Sequence, residues 1–201
     1  MLDSNQGIVL ELSAKLLTAV KSILEKFYSE HPTDNMYAFA LVAPAEGTSI
    51  SCSIATEQTL NDIAQWYALK GYKAKSGDTL TILRQSLRWA NPDDGWYFYS
   101  FQEDESILIE LNKAFNAKII KMFDGTTEVI CIEALRQLDR DGAFGSGEIR
   151  HQITLGFTYG EDPKDFVKFA AQLNSPDIIQ RTQRELKDSY DVNENIKTPD
   201  D

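Results

Sequence analysis

Eight consecutive apolar residues, Met36-Tyr37-Ala38-Phe39-Ala40-Leu41-Val42-Ala43, follow Pro32 and stop at the turn Pro44-Ala45-Glu46-Gly47. A run this short, bounded by turn residues, fits a buried strand and is far below the ~18 apolar residues of a membrane span. Thr48 to Ile54 then alternates polar with apolar at Ile50, Cys52 and Ile54, the period of two that marks a strand. The two segments predict a hairpin. A sheet built on them needs cover, and most of the remaining chain reads as helix.

Residues 8–30 place Val9, Leu12, Leu16, Ala19, Ile23 and Phe27 on one helical face, and Pro32 stops the helix. Thr56 reads as an N-cap with Glu57 in the first turn, starting a helix that carries Leu60, Ile63, Ala64 and Tyr67 inward and ends near Gly71. Asp78 caps a shorter helix through Leu80, Leu83 and Leu87. Asn91-Pro92-Asp93-Asp94-Gly95 is a turn, and Trp96 to Phe101 reads as a strand or as the start of the next helix. Helices follow over 104–123 and from Thr127 to Arg140, the second with Val129, Ile132, Leu135 and Leu138 as its apolar set. Ile149 to Tyr159 reads as a late strand, because Ile153, Leu155 and Phe157 alternate with Thr154, Gly156 and Thr158. Asp162-Pro163 and Ser175-Pro176 open two last helices. Phe166, Phe169 and Leu173 form the buried face of the first, and the second runs to about Asp188. With 201 residues and no long linker or repeat, the pattern predicts one α+β domain over residues 1–188. Its sheet is mainly antiparallel and covered by several helices. Residues 189–201 read as a disordered acidic tail.

Charge narrows the function. The chain has 20 Lys+Arg against 31 Asp+Glu, a net charge of -11, and no block of basic residues. Such a surface argues against nucleic acid and against an anionic membrane, and it suits a basic protein partner. The first twenty residues lack the order of parts of a signal peptide, since Glu11 and Lys15 interrupt the apolar stretch. Cys52 and Cys131 are the only cysteines and both lie in apolar surroundings, which predicts free buried thiols. The expected location is the cytoplasm.

Catalytic patterns are scarce. His31 and His151 are the only histidines, and the spacings of a zinc site are missing, so neither a metal nor a cofactor is expected. Gly142-Ala143-Phe144-Gly145-Ser146-Gly147 follows a helix and is expected to precede a strand, the reverse of a phosphate loop, so it reads as a turn. Asp139, Asp141 and Glu148 flank it and read as solvated acids. Two candidate sites remain. Arg88, Trp89, Asp93, Asp94, Trp96 and Tyr97 surround an aromatic turn of the composition that carries binding hot spots, with core packing as its other use. Glu148, Arg150 and His151 form an alternative cleft in which His151 could act as a general base oriented by Glu148.

The order of segments carries a resemblance. It runs Tyr37-Ala38-Phe39-Ala40-Leu41, Thr56-Glu57, Arg88-Trp89, Asp94-Gly95-Trp96-Tyr97, Gly142-Ala143-Phe144-Gly145, Ile153-Thr154-Leu155, Glu161-Asp162 and Leu173-Asn174-Ser175-Pro176. In this the chain resembles the bacterial family called domain of unknown function 4303 over about residues 8–180, with a departure at the acidic turn before Trp96. The family has no established activity or catalytic residues to transfer. It looks like the small acidic bacterial domains that serve as immunity proteins beside secreted toxins. The resulting expectation is a non-enzymatic, immunity-type module that covers a basic toxin domain. The alternative is a small-ligand binder or hydrolase-like enzyme using the Glu148/Arg150/His151 cleft.

Overall fold

The computed structural model describes residues 4–44, 47, 49–90, 95–100, 105–118, 120, 125–160 and 163–199. Helix α1 (Ser4–Glu30) leads into the hairpin β1 (Met36–Ala43) and β2 (Ser51–Thr56), and α2 (Glu57–Leu69) follows directly. Then come β3 (Lys73–Ala74), α3 (Thr79–Leu87), β4 (Tyr97–Ser100), α4 (Glu105–Asn116), α5 (Thr126–Arg140) and α6 (Gly147–Gln152). The chain continues with β5 (Thr154–Tyr159), α7 (Pro163–Ala170), α8 (Pro176–Asn193) and β6 (Ile196–Lys197). The main sheet has the order β4-β2-β1-β5. Its first two pairings are antiparallel, and β5 lies parallel to β1. The fold is α+β with a mostly antiparallel sheet.

The apolar run of β1 is explained by helices on both faces of the sheet. On one side α1, α4 and α5 bring Leu16, Val20, Phe27, Leu111, Ile130 and Leu135 against Phe39, Leu41, Cys52, Ile54, Leu155 and Phe157. On the other, Leu60, Trp89, Phe166 and Leu186 pack on Tyr37, Ala38, Ala40 and Ala55. Strand alternation slips once. The β1–β2 register shifts between Met36 and Ala38, and the successive residues Tyr37 and Ala38 both join the second core. That bulge aims the Tyr37 ring toward α2 and α3. Both cysteines are free and buried, and burial raises both thiols.

Caps follow the sequence closely. The Thr56 hydroxyl accepts from the Thr59 amide at 3.1 Å, and the Thr59 hydroxyl accepts from the Thr56 amide at 3.2 Å, a reciprocal capping box. Asp78 Oδ2 accepts from the Thr81 amide at 2.8 Å, and this bond holds its carboxyl below the usual range.

Four expectations are corrected. The strand expected from Ile149 begins at Thr154, and Gly147–Gln152 forms the short helix α6, on which Ile149 is 65% exposed. The glycine loop therefore leads into this helix and not into a strand. The helix expected over 104–123 ends at Asn116. Val129, expected inside, lies 50% exposed on α5. Finally, of the stretch expected to be a tail from residue 189, the described residues up to 197 are held to the body. α8 continues to Asn193, the Ser189 hydroxyl donates to Ser86 O at 2.6 Å, and β6 pairs with β3. The sequence pattern hid these contacts because they are hydrogen bonds of polar side chains and backbone to partners more than a hundred positions away, which leave no apolar period.

Among the described residues no strand covers the outer edge of β5, and Asn174 occupies it. Its Nδ2 donates to Leu155 O at 2.7 Å, and its Oδ1 accepts from Leu155 N at 3.0 Å, as a neighbouring strand would. Arg150 buttresses this amide at 3.1 Å.

Candidate recognition site

The aromatic turn singled out in the sequence divides between core and surface. Arg88 and Trp89 follow the C-terminal end of α3 and face inward. The Arg88 guanidinium lies 4.2 Å from the Tyr37 ring centroid, and its Nη1 donates to Glu57 Oε1 at 2.8 Å. Its Nε donates to Glu185 Oε2 at 3.2 Å, and the same oxygen accepts from Trp89 Nε1 at 3.0 Å. Arg84 Nη2 reaches the other Glu57 oxygen at 2.9 Å, and the Tyr37 hydroxyl donates to Arg88 O at 2.8 Å. These bonds tie α2, α3, α8 and β1 into one charged clasp. Trp89 is 5% exposed, which corrects its expected place on a partner-facing surface: a bulky ring with a satisfied N–H is most stable in the core. Asp93 and Asp94 lie outside the described residues.

Trp96 and Tyr97 take the other direction. Together with Gly95 they form one wall of a groove of about 530 Å³, whose opposite wall is Thr59, Asp62, Ile63, Trp66 and Tyr67 of α2. Gly95 is required here. Its φ is +83°, and a Cβ would come within 2.7 Å of Ile63 Cγ2. Trp66 is 49% exposed and packs edge-on against Tyr67 at 5.1 Å between centroids. Trp96 leans on the core through Tyr37 at 6.2 Å and Trp89 at 6.3 Å, so the clasp supports the wall of the groove.

Tyr97 joins the groove to an acidic end. Its hydroxyl donates to Asp34 Oδ2 at 3.0 Å, and its ring lies 4.1 Å from that of His31. Burial, then this hydrogen bond and the neighbouring carboxylates, Asp62 among them, push its phenol up to about 12. Tyr97 is therefore a neutral donor at neutral pH. The exposed Asp62 carboxylate has no hydrogen-bond or salt-bridge partner among the described residues.

The alternative cleft is not assembled. Arg150 Nη2 donates to Asp139 Oδ2 at 3.0 Å and its Nη1 to Ile153 O at 2.7 Å, so this guanidinium is committed to holding the end of α5 and the edge of β5. His151 pairs with Asp177 Oδ2 at 2.6 Å on the surface and not with Glu148, which lies exposed. The expected roles failed because α6 is a helical turn, and successive residues there point in different directions. Among the described residues no group of three or more His, Cys, Asp or Glu could hold a metal ion, and no helix is long and apolar enough to cross a membrane.

Trp66 was not singled out in the sequence. A signal was there: a tryptophan between Gln65 and Tyr67, off the Leu60/Ala64 stripe of an amphipathic helix, is an apolar group without an assigned core place.

An α+β domain with helices on both sheet faces and an open, aromatic, acid-tipped groove is the class defined by fold and site. Residues 16–175 match the family described as a domain of unknown function (DUF4303), and the chain belongs to it. No curated protein and no solved structure gives a significant match.

Proposed function

We propose that this chain is a non-enzymatic protein-binding module of the immunity type, acting in the bacterial cytoplasm on a basic partner such as a toxin domain. The groove between α2 and the start of β4 is its recognition surface. The observation that carries this reading is the placement of half-exposed Trp66 opposite Trp96 and Tyr97 in a groove that also holds Asp62, a carboxylate without a hydrogen-bond or salt-bridge partner among the described residues. Exposed tryptophan and tyrosine in a concave site contribute large contact area at low conformational cost, and they dominate interface energetics. The net charge of -11 steers basic partners toward such a face and repels acidic ones.

The test is co-expression with the products of the genes adjacent to its own, followed by co-purification and growth assays. The expected result is a stoichiometric complex with a basic neighbour-encoded protein, relief of that protein's toxicity, and a loss of about tenfold or more in affinity on Trp66→Ala. Trp66 is half exposed, so the variant should keep its fold. Failure of every neighbour-encoded basic protein to bind, or full binding by the Trp66→Ala protein, contradicts the reading.

A further inference from the structure

We infer that the groove takes an arginine side chain from an extended segment of a basic partner, its guanidinium stacked on the aromatic walls and paired with Asp62. This deepens the recognition reading above and rests on it.

The lining sets the chemistry. Trp66, Tyr67, Trp96 and Tyr97 supply flat aromatic surface, and Thr59 and Asp62 are the polar groups of the α2 wall. Aromatic faces carry negative charge density and attract cations. The site already shows that property: the ammonium of Lys70 lies 5.3 Å from the Trp66 ring centroid. A planar guanidinium can stack on a ring and at the same time present parallel N–H donors to a carboxylate, which an ammonium cannot do. The Asp62 carboxylate is available because it has no other hydrogen-bond or salt-bridge partner among the described residues, whereas Asp34 at the far end accepts from Tyr97 and Thr56. Among the described residues the groove therefore offers an unpaired carboxylate beside exposed aromatic faces. Lys70 is the opposing charge at the site, and its removal should strengthen binding.

The probe is a capped Gly-Arg-Gly peptide, with capped Gly-citrulline-Gly as its neutral isostere and capped Gly-Lys-Gly as the point-charge control. The chain has three tryptophans, so three indole N–H signals report the titration by NMR. Trp66 and Trp96 line the groove, and buried Trp89 is the internal control. The expected result is saturable millimolar binding that moves the Trp66 and Trp96 signals more than that of Trp89. Citrulline in place of arginine, or the Asp62→Asn substitution, should weaken binding by about two- to fivefold, the range of a partly exposed ion pair. Lys70→Gln should tighten it by about twofold, through removal of a nearby like charge. Equal binding of the citrulline peptide, no effect of Asp62→Asn, or no saturable shift up to about 10 mM, a concentration covering the weak end of peptide affinity, overturns the inference. The two readings fail separately. A neighbour-encoded partner that binds the wild type and the Asp62→Asn protein equally removes the arginine site and leaves the binding module standing. Arginine binding without any such partner does the reverse.

Discussion

Gly156 connects the core to the groove, and a single methyl group there should show it. In β5 this residue lies opposite Ala40, on the sheet face covered by Phe166 of α7. A Cβ added to Gly156 would lie 2.1 Å from Phe166 Cε2 and 2.5 Å from its Cδ2. Ordinary carbon contacts begin near about 3.5 Å, so the ring must retreat by roughly 1.4 Å. It has little room, because Phe166 is buried and rests against Trp89 at 5.6 Å between centroids. Overpacking of this kind costs about 1–3 kcal/mol, and we place Gly156→Ala at the upper end because the clash is with a whole ring. Phe166→Ala alone should cost about 3–5 kcal/mol through the cavity it leaves. In that background the new methyl enters vacated space, and alanine suits a strand better than glycine by about 0.5–1 kcal/mol. The second substitution should then be neutral or stabilising, giving a coupling of about 3 kcal/mol in the double-mutant cycle. Urea unfolding followed by tryptophan fluorescence measures each corner, and Phe166→Leu gives a milder cycle should Phe166→Ala prove too unstable. Additive effects, or a cost of Gly156→Ala below about 0.5 kcal/mol, would refute the packing argument. Because Trp89 leans on Trp96, the Gly156→Ala protein should also show a shifted Trp96 environment at the wall of the groove.

Further outcomes follow from the same contacts. Arg88→Met should cost about 1–3 kcal/mol by removing charge-assisted hydrogen bonds to Glu57 and Glu185, which keep Arg84 and Arg181 as their remaining cations, and Arg88→Lys should not restore the whole loss, since an ammonium lacks the planar fork that reaches both carboxylates over a ring; chemical denaturation of both variants checks this. Ser53 is 0% exposed and its Oγ has no hydrogen-bond partner among the described residues, so Ser53→Ala should stabilise the fold by about 1 kcal/mol, read as a raised denaturation midpoint at unchanged slope. The Tyr97 phenol is raised from 10.0 to about 12, so the folded state holds this proton more tightly than the unfolded state. Its contribution is complete below pH 10 and is lost as pH rises toward 12. The stability gap between wild type and Tyr97→Phe should therefore shrink across that window.

Much of this fold was legible because local signals and burial agreed. The run Met36–Ala43, the cap residues Thr56 and Asp78, and the proline starts at Pro163 and Pro176 all stand at or within a residue of the element ends that they mark. What escaped was set by distant partners. The six residues of α6 are too few to display a helical period, so Ile149 read as part of the strand that follows. Residues past Asp188 carry little apolar pattern, and their order comes from β3 and Ser86, more than a hundred positions away. The site was half visible. Trp96 and Tyr97 stood out by composition, but the facing wall on α2 is joined to them only by the fold, and Trp66 lacked any signal beyond an aromatic group off the buried stripe. Arg150 and His151 had the right chemistry for a cleft and the wrong neighbours.

The most direct test of the recognition surface is the affinity of a neighbour-encoded basic partner for the wild type, Trp66→Ala and Asp62→Asn proteins, measured by titration calorimetry at matched ionic strength. The expected result is tight binding by the wild type, a large loss with Trp66→Ala, and a smaller, salt-sensitive loss with Asp62→Asn. Unchanged affinity in both variants would show that partners dock elsewhere on the molecule.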